Sequence, residues 1–239
     1  LADVAGYAAR AEESKKRGKL RGLGIINAIE QAAGTAQPEY AEIRFNPAGT
    51  AALLMGTKAQ GQGHETMFKQ ILSERLGIDP HDVQFIDGDT DRVAFGMCTN
   101  GSRSTVLGGS ALFMAAEKVI EKGKRLAGHL LEAGEQDIEF AEGTFKVKGT
   151  DKTVSLKAVA MAAFNPTKWP KSGFEGGLYE NATYLGEKDT YPNGCHICEL
   201  EVDPETGDVT VDRYAVVDDV GTVMNPIGLK GQIHGGVAQ

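Results

Sequence analysis

Residues 38–77 read PEYAEIRFNPAGTAALLMGTKAQGQGHETMFKQILSERLG, and they decide the fold class. Tyr40, Glu42 and Arg44 alternate with Ala41, Ile43 and Phe45, the period of two that marks a strand. Asn46-Pro47-Ala48-Gly49 has turn chemistry, so runs at 38–46 and 50–57 form a hairpin. After the glycine-rich AQGQGHET the period changes. Met67, Phe68, Ile71, Leu72 and Leu76 fall on one helical face, and Gly77 closes it. A hairpin that feeds a glycine loop and then an amphipathic helix belongs to an α+β architecture.

Outward from this stretch the pattern continues. Upstream lies an alanine-rich helix at 2–18, with Arg10, Glu12, Glu13, Lys15, Lys16 and Arg17 read as a solvated face, then a strand at 20–31. Downstream come a strand at Val83–Ile86, a loop of about 15 residues from Asp87 to Arg103 and a long helix from Thr105 to Ala133. A hairpin at 136–141 and 144–148 and a short helix at Ser155–Ala163 follow. A loop at Asn165–Gly177 leads to strands at 178–185, 195–203 and 208–217. The expected fold is α+β, with mixed or antiparallel sheets and packed helices in two lobes, 1–134 and 135–239.

Composition narrows the function. Hydrophobic residues make up 41% and charged residues 24% of the 239, which excludes a disordered chain. The net charge of −8 argues against a nucleic-acid partner. No apolar run reaches the roughly 18 residues of a membrane span. Three cysteines, Cys98, Cys195 and Cys198, do not make a disulfide framework. Leu1 and Gln239 read as cut ends of a longer protein, and the expected location is the cytoplasm.

The 31 glycines concentrate attention on three stretches. Gln60-Gly61-Gln62-Gly63-His64-Glu65-Thr66 precedes a helix, where bare amides attract anions. It lacks the Lys-Ser or Lys-Thr of a P-loop, and the bland alternative is a tight turn with a helix cap. Thr99-Asn100-Gly101-Ser102-Arg103-Ser104-Thr105 packs hydroxyls, an amide and a guanidinium before the next helix. There Arg103 suits a two-point grip on phosphate, against an Arg on an exposed loop tip. Gly231-Gln232-Ile233-His234-Gly235-Gly236 follows Asn225-Pro226, and Gln232 offers donor and acceptor together. The alternative there is a buried helix start. Cys195-His196-x-Cys198 has metal-ligand spacing, but strand alternation sends Cys195 and His196 to opposite faces. Asp87, Asp89 and Asp91 lack the distal Glu of a calcium loop and read as a solvated turn.

The ordered strings AQGQGHET, IDGDTDRVAFGMCTNGSRST and VDDVGTVMNPIGLKGQIHGGVAQ resemble the molybdenum-cofactor-binding part of the xanthine dehydrogenase and aldehyde oxidase family. The likeness is nearest to the bacterial branch that includes the carbon monoxide dehydrogenase large subunit, and it covers essentially the whole chain. It implies a two-lobed domain that binds a molybdenum pyranopterin, in the cytosine dinucleotide form. Gln62, Gly63 and His64 match the family's glycine–glutamine loop. Thr99, Asn100, Gly101, Ser102, Arg103 and Ser104 match the loop around the pyrophosphate and nucleotide. Asn225 and Gln232 match the segment approaching the pterin.

The resemblance also implies a parent oxidoreductase that hydroxylates a small aldehyde, heterocycle or carbon monoxide-like molecule. Water would supply the oxygen, and electrons would leave through iron–sulfur and flavin partners. The family's glycine–phenylalanine motif would lie upstream of residue 1 and its general-base glutamate beyond Gln239. The rest of the large subunit is therefore an expected partner, no catalytic residue is assigned within 1–239, and the chain alone is expected to be inactive and without cofactor. The competing reading is a non-catalytic nucleotide- or phosphate-binding module on the same fold.

Overall fold

Strand pairing ties the first 30 residues to a segment near the end of the chain. In chain order the elements are α1 (Tyr7–Lys16), β1 (Leu20–Ile29), β2 (Pro38–Phe45), β3 (Ala51–Met55), α2 (His64–Leu76), β4 (Val83–Ile86) and α3 (Gly109–Leu131). They continue with β5 (Ile138–Ala141), β6 (Thr144–Val147), β7 (Thr153–Ser155), α4 (Leu156–Ala162), β8 (Tyr179–Leu185), β9 (Asn193–Val202), β10 (Val209–Asp219) and α5 (Pro226–Ala238). The structure is a computed structural model that describes residues 2–33, 37–171 and 173–239. Ser172, inside the loop expected at 165–177, lies outside the described residues.

One compact unit comprises Leu1–Ala32 and Thr190–Thr222. Its antiparallel sheet has the order β1-β9-β10, with Leu20 opposite Val202 and Ile29 opposite Asn193. The face under α1 is ionic. Arg21 donates to Glu201 at 2.6 Å and to Asp212 at 2.7 Å, Arg10 donates to Glu199 at 2.7 Å, and the Ser14 hydroxyl donates to Glu201 at 2.6 Å. Arg17 also pairs with Glu201. The solvated reading of the α1 charges is thus corrected for Arg10 and Arg17: they bind carboxylates of β9. Hydrogen bonds from Arg10, then Arg21, hold the Glu199 carboxyl down to about 2. Ser14, Arg17 and Arg21 do the same for Glu201.

The second unit comprises Ala33–Asp189 and Val223–Gln239. Its main sheet has the order β4-β3-β2-β8, antiparallel except for the β3–β4 pair. The core holds Ile43, Phe45, Leu53 and Met55 of the sheet, Phe68, Leu72 and Leu76 of α2, and Leu112, Val119 and Ile120 of α3. It also holds Ile138, Phe145, Leu156 and Val159. A lobe boundary at residue 134 would cut through this one cluster, so the division differs from the sequence expectation. The reason is that β1 finds its partner in β9, a pairing with no local signature, while the hairpin and α4 after residue 134 close onto α3.

Elsewhere the expected elements form, with shifted ends. The helix expected from Thr105 begins as a π-turn at Ser104–Gly108 and becomes α-helical at Gly109. β5, β6 and β7 make a small antiparallel sheet around Glu142-Gly143, both at positive φ (47° and 73°), the backbone a tight hairpin requires. β7 was not expected, because three residues carry too little periodicity to read. Ser155 caps α4 by accepting from the Ala158 amide at 3.2 Å.

Candidate functional site: two glycine loops at the ends of parallel strands

Parallel neighbours need a crossover, and here α2 supplies it. The first glycine loop therefore leaves the carboxyl end of β3, and the second leaves the carboxyl end of the adjacent β4. In open parallel sheets ligands sit beyond the strand carboxyl ends, and among the described residues the β3–β4 pair alone shares that geometry here. The pairing of Leu53 with Phe85 and Leu54 with Ile86 brings the two loops side by side.

In the first loop, Gly61 and Gly63 have φ of 99° and 80°. No described atom lies within 4 Å of where a Cβ would stand on either. A ligand can thus approach this backbone closely. Gln62 folds back, its Oε1 accepting from the Gln60 amide and its Nε2 reaching toward the Lys58 carbonyl at 3.4 Å. The periodicity predicts a helix beginning after Thr66; the structure starts α2 at His64, with Gly63 as an N-cap that makes no side-chain bond. His64 is buried and meets Phe68 edge to face at 5.4 Å between ring centroids. Burial lowers its pKa, against the pull of Asp87, so the imidazole is neutral near pH 7.

The second loop is fastened to the first. Thr99 Oγ1 donates to the Lys58 carbonyl at 2.7 Å, accepts from the Lys58 amide at 3.1 Å and lies 3.0 Å from Ser104 Oγ. Asp87 accepts from the Ala59 amide at 2.5 Å, so it is a loop clasp rather than part of a solvated turn. Gly56 and Gly96 pack backbone to backbone, leaving no room for a Cβ on either. Asn100 is exposed and reaches the Met97 carbonyl at 3.4 Å. Gly101 (φ 51°) and Ser102 (φ 56°) are both left-handed. For Ser102 that conformation costs about 1–2 kcal/mol, strain of the kind that gathers at binding sites.

Arg103 departs from expectation. Its side chain is 1% exposed and ion-paired with Glu39, which is 0% exposed. It also donates to the Cys98 carbonyl and the Pro38 carbonyl, both at 2.7 Å. Both terminal nitrogens are therefore committed to the protein, and the expected two-point phosphate grip is corrected to an internal tie. The sequence concealed this because Glu39 lies 64 residues away. A signal did exist: Glu39 shares strand parity with Ala41, Ile43 and Phe45, the core face of β2, where a carboxylate requires a buried partner.

The third segment attaches through a residue not singled out in the sequence. Gln70 of α2 donates to the Met224 carbonyl at 2.8 Å and accepts from Asn225 Nδ2 at 3.1 Å. Asn225 Oδ1 accepts from the Gly228 amide at 2.7 Å and caps α5. Asn225 is thereby spent on structure. Gln232 lies exposed on α5, and no hydrogen bond joins it to either loop among the described residues. The alternative, a buried helix start, does not form either, since α5 buries none of its residues.

Cys195 and His196 point to opposite faces of β9, and His196 contacts Tyr214 (3.1 Å) and Asp218 (3.4 Å). Among the described residues no three His, Cys, Asp or Glu gather to hold a metal ion. A hollow lined by His129, Glu132, Thr167 and Lys168 lies at the far end of α3. A helix of 23 residues separates it from the loops by roughly 35 Å.

Three buried polar atoms lack a hydrogen-bond partner among the described residues: Thr57 Oγ1, His64 Nδ1 and Arg103 Nε. Thr57 lies in the first loop, His64 at the start of α2 and Arg103 at the end of the second loop. Unsatisfied buried groups are rare and each calls for an explanation. Arg103 Nε belongs to the internal tie, while Thr57 Oγ1 and His64 Nδ1 flank the glycines of the first loop, where a ligand would complete the bonding. With the open backbone at Gly61 and Gly63 and the helix start at His64, the residues fit a ligand with polar edges and anionic groups.

Comparison with known proteins gives the family. The model of the molybdopterin cofactor-binding domain matches residues 1–239. The carbon monoxide dehydrogenase large chain of Hydrogenophaga pseudoflava is 36% identical over 99% of this chain and 31% of its own length. The 6-hydroxypseudooxynicotine dehydrogenase complex subunit gamma of Paenarthrobacter nicotinovorans is 36% identical over 99% of this chain and 30% of its own. Among solved structures, quinoline 2-oxidoreductase from Pseudomonas putida 86 superposes with a TM-score of 0.88 at 33% identity, covering 98% of this chain and 31% of that one. Reconstituted CO dehydrogenase from Oligotropha carboxidovorans gives 0.87 at 36% identity, with coverages of 98% and 31%. The chain thus spans about a third of the length of these relatives. The ordered loops, the fold and the family match converge, and the chain belongs to the molybdopterin cofactor-binding domain family.

Proposed function

We propose that the chain is the cofactor-holding portion of a molybdenum hydroxylase large subunit, and that the cofactor is a pyranopterin in its cytosine dinucleotide form. The parent oxidises a small aldehyde, heterocycle or carbon monoxide-like molecule with water as the oxygen source. It passes electrons to iron–sulfur and flavin partners and acts in the cytoplasm. Among the described residues no helix is long and apolar enough to cross a membrane. The observation that carries this reading is the backbone left open at Gly61 and Gly63 in a loop that Thr99 fastens to its neighbour, with Thr57 Oγ1 and His64 Nδ1 buried without a partner among the described residues on either side of it.

When bound, the cofactor supplies the two-electron redox chemistry, and the protein supplies binding, orientation and electrostatics. The start of α2 and the amides around Gly101 favour the phosphates. The uncharged His64 ring offers its Nδ1 to a polar edge without imposing a charge. Asn100 and Gln232 stand exposed as further amide partners. Isolation of the full-length protein, followed by molybdenum analysis and chromatography of nucleotide released by acid, tests the reading. Near-equimolar molybdenum and cytidine nucleotide is the expected result. Nucleotide without molybdenum would favour a plain nucleotide-binding module, and neither would defeat both.

A further inference from the structure

Glu39 is a carboxylate on the core face of β2, and such a group is costly unless it is both paired and hydrogen-bonded. Here it is both. Oε2 takes the Arg103 ion pair, and Oε1 accepts from the Tyr40 amide at 2.9 Å. The same Oε1, with the Phe95 carbonyl and Gly96 Cα, occupies the space a Cβ on Gly56 would need. The pair therefore touches the root of the first loop and the middle of the second. Arg103 also closes the second loop on itself by donating to the Cys98 carbonyl. Cys98 (φ 65°) and Ser102 (φ 56°), two left-handed residues other than glycine, lie in the segment so closed. An apolar pair of similar volume can match such an ion pair in stability. It could not grip three acceptors on two chain segments at fixed angles, as a planar guanidinium does.

We propose that the buried Glu39–Arg103 pair is a positioning device for the cofactor loops, fixing both against β2 and so setting how tightly the cofactor is held. This rests on the functional reading above. Neither residue needs to touch the cofactor; they act through Gly56, Cys98 and the left-handed turn at Gly101-Ser102.

The test uses the full-length subunit in its complex, with Glu39→Gln and Arg103→Lys as mild variants. Glu121→Gln, which breaks the surface pair with Lys124, is the control. Two quantities are read: backbone amide exchange, and molybdenum and nucleotide retained during prolonged dialysis. In both variants the amides at 58–63 and 98–104 exchange about tenfold faster or more, while those of Leu112–Ile120 in α3 keep their rates. Cofactor half-life falls on the order of tenfold, equivalent to about 1.4 kcal/mol of lost loop ordering. Arg103→Lys falls between wild type and Glu39→Gln, and Glu121→Gln is silent. A parallel loss of protection across the whole unit would make the pair an ordinary core element and overturn the proposal. Loosened loops with unchanged retention would overturn it too. A wild-type complex without molybdenum would defeat the functional reading instead, while the exchange rates, read without any ligand, would still decide whether the pair positions the loops.

Discussion

Arg103→Ala separates the structure from the surface reading of that residue by a wide margin. An exposed loop arginine can be removed at a cost within about 0.5 kcal/mol. Here the side chain is 1% exposed, and its removal leaves the Glu39 carboxylate buried without a counter-ion. Breaking a buried pair from one side costs about 3–5 kcal/mol. The carbonyls of Pro38 and Cys98 lose donors as well. For a unit of this size each kcal/mol moves the midpoint by roughly 2–4 °C, so Tm falls by roughly 6–20 °C. Differential scanning calorimetry reads this directly. Most of the penalty lies in the stranded charge, so adding Glu39→Gln to Arg103→Ala should recover part of it rather than add to it. A Tm within about 2 °C of wild type for Arg103→Ala, or additive losses in the double variant, would mean that Glu39 is not left as a stranded buried charge.

Other consequences follow from particular contacts. Glu199 and Glu201 have folded pKa values held down to about 2, so their contribution is complete above the ordinary value of about 4.3 and is lost as pH falls toward 2. Amides of β1, β9 and β10 should lose exchange protection in that window, and Glu199→Gln should flatten the dependence. Gly123→Ala would place a methyl against the Phe145 ring, whose Cε1 and Cε2 lie 3.1 and 3.3 Å from the Cβ position. Overpacking of about 1–3 kcal/mol outweighs the helix-propensity gain of about 1 kcal/mol, and urea unfolding should show net destabilisation. Asn225→Ala removes the α5 cap, worth about 1 kcal/mol, together with the Gln70 bond, so α5 should exchange faster while α2 keeps its protection.

What could be read in the sequence divides by range. The β2–β3 hairpin, α2 and the β5–β6 hairpin rest on local periodicity and turn chemistry, and each formed within a few residues of its expected span. The partition into units did not show, because β1 pairs with β9 across more than 160 residues and no local pattern announces such a partner. The site behaved likewise. That the glycine stretches at 60–66 and 99–105 precede helices was legible. That they converge depends on the parallel β3–β4 pairing and on clasps by Thr99, Lys58 and Asp87, groups with no motif of their own. Side-chain direction was the least legible. Arg103 and Asn225 both carry the polarity of ligand-binding residues, yet both spend it within the fold, on Glu39 and on the α5 cap. Strand parity pointed to Glu39 as the carboxylate in need of a cation, and that inference was open from the sequence.

The loops at 56–64 and 96–104 are proposed to hold a molybdenum pyranopterin between them. Anomalous diffraction at the molybdenum edge from crystals of the full-length protein decides this. One molybdenum site is expected, with cofactor polar atoms at hydrogen-bond distance, about 2.7–3.2 Å, from amides or side chains of both loops, His64 Nδ1 among them, and with Arg103 still turned onto Glu39. A molybdenum site whose cofactor leaves both loops bonded only to protein would contradict it.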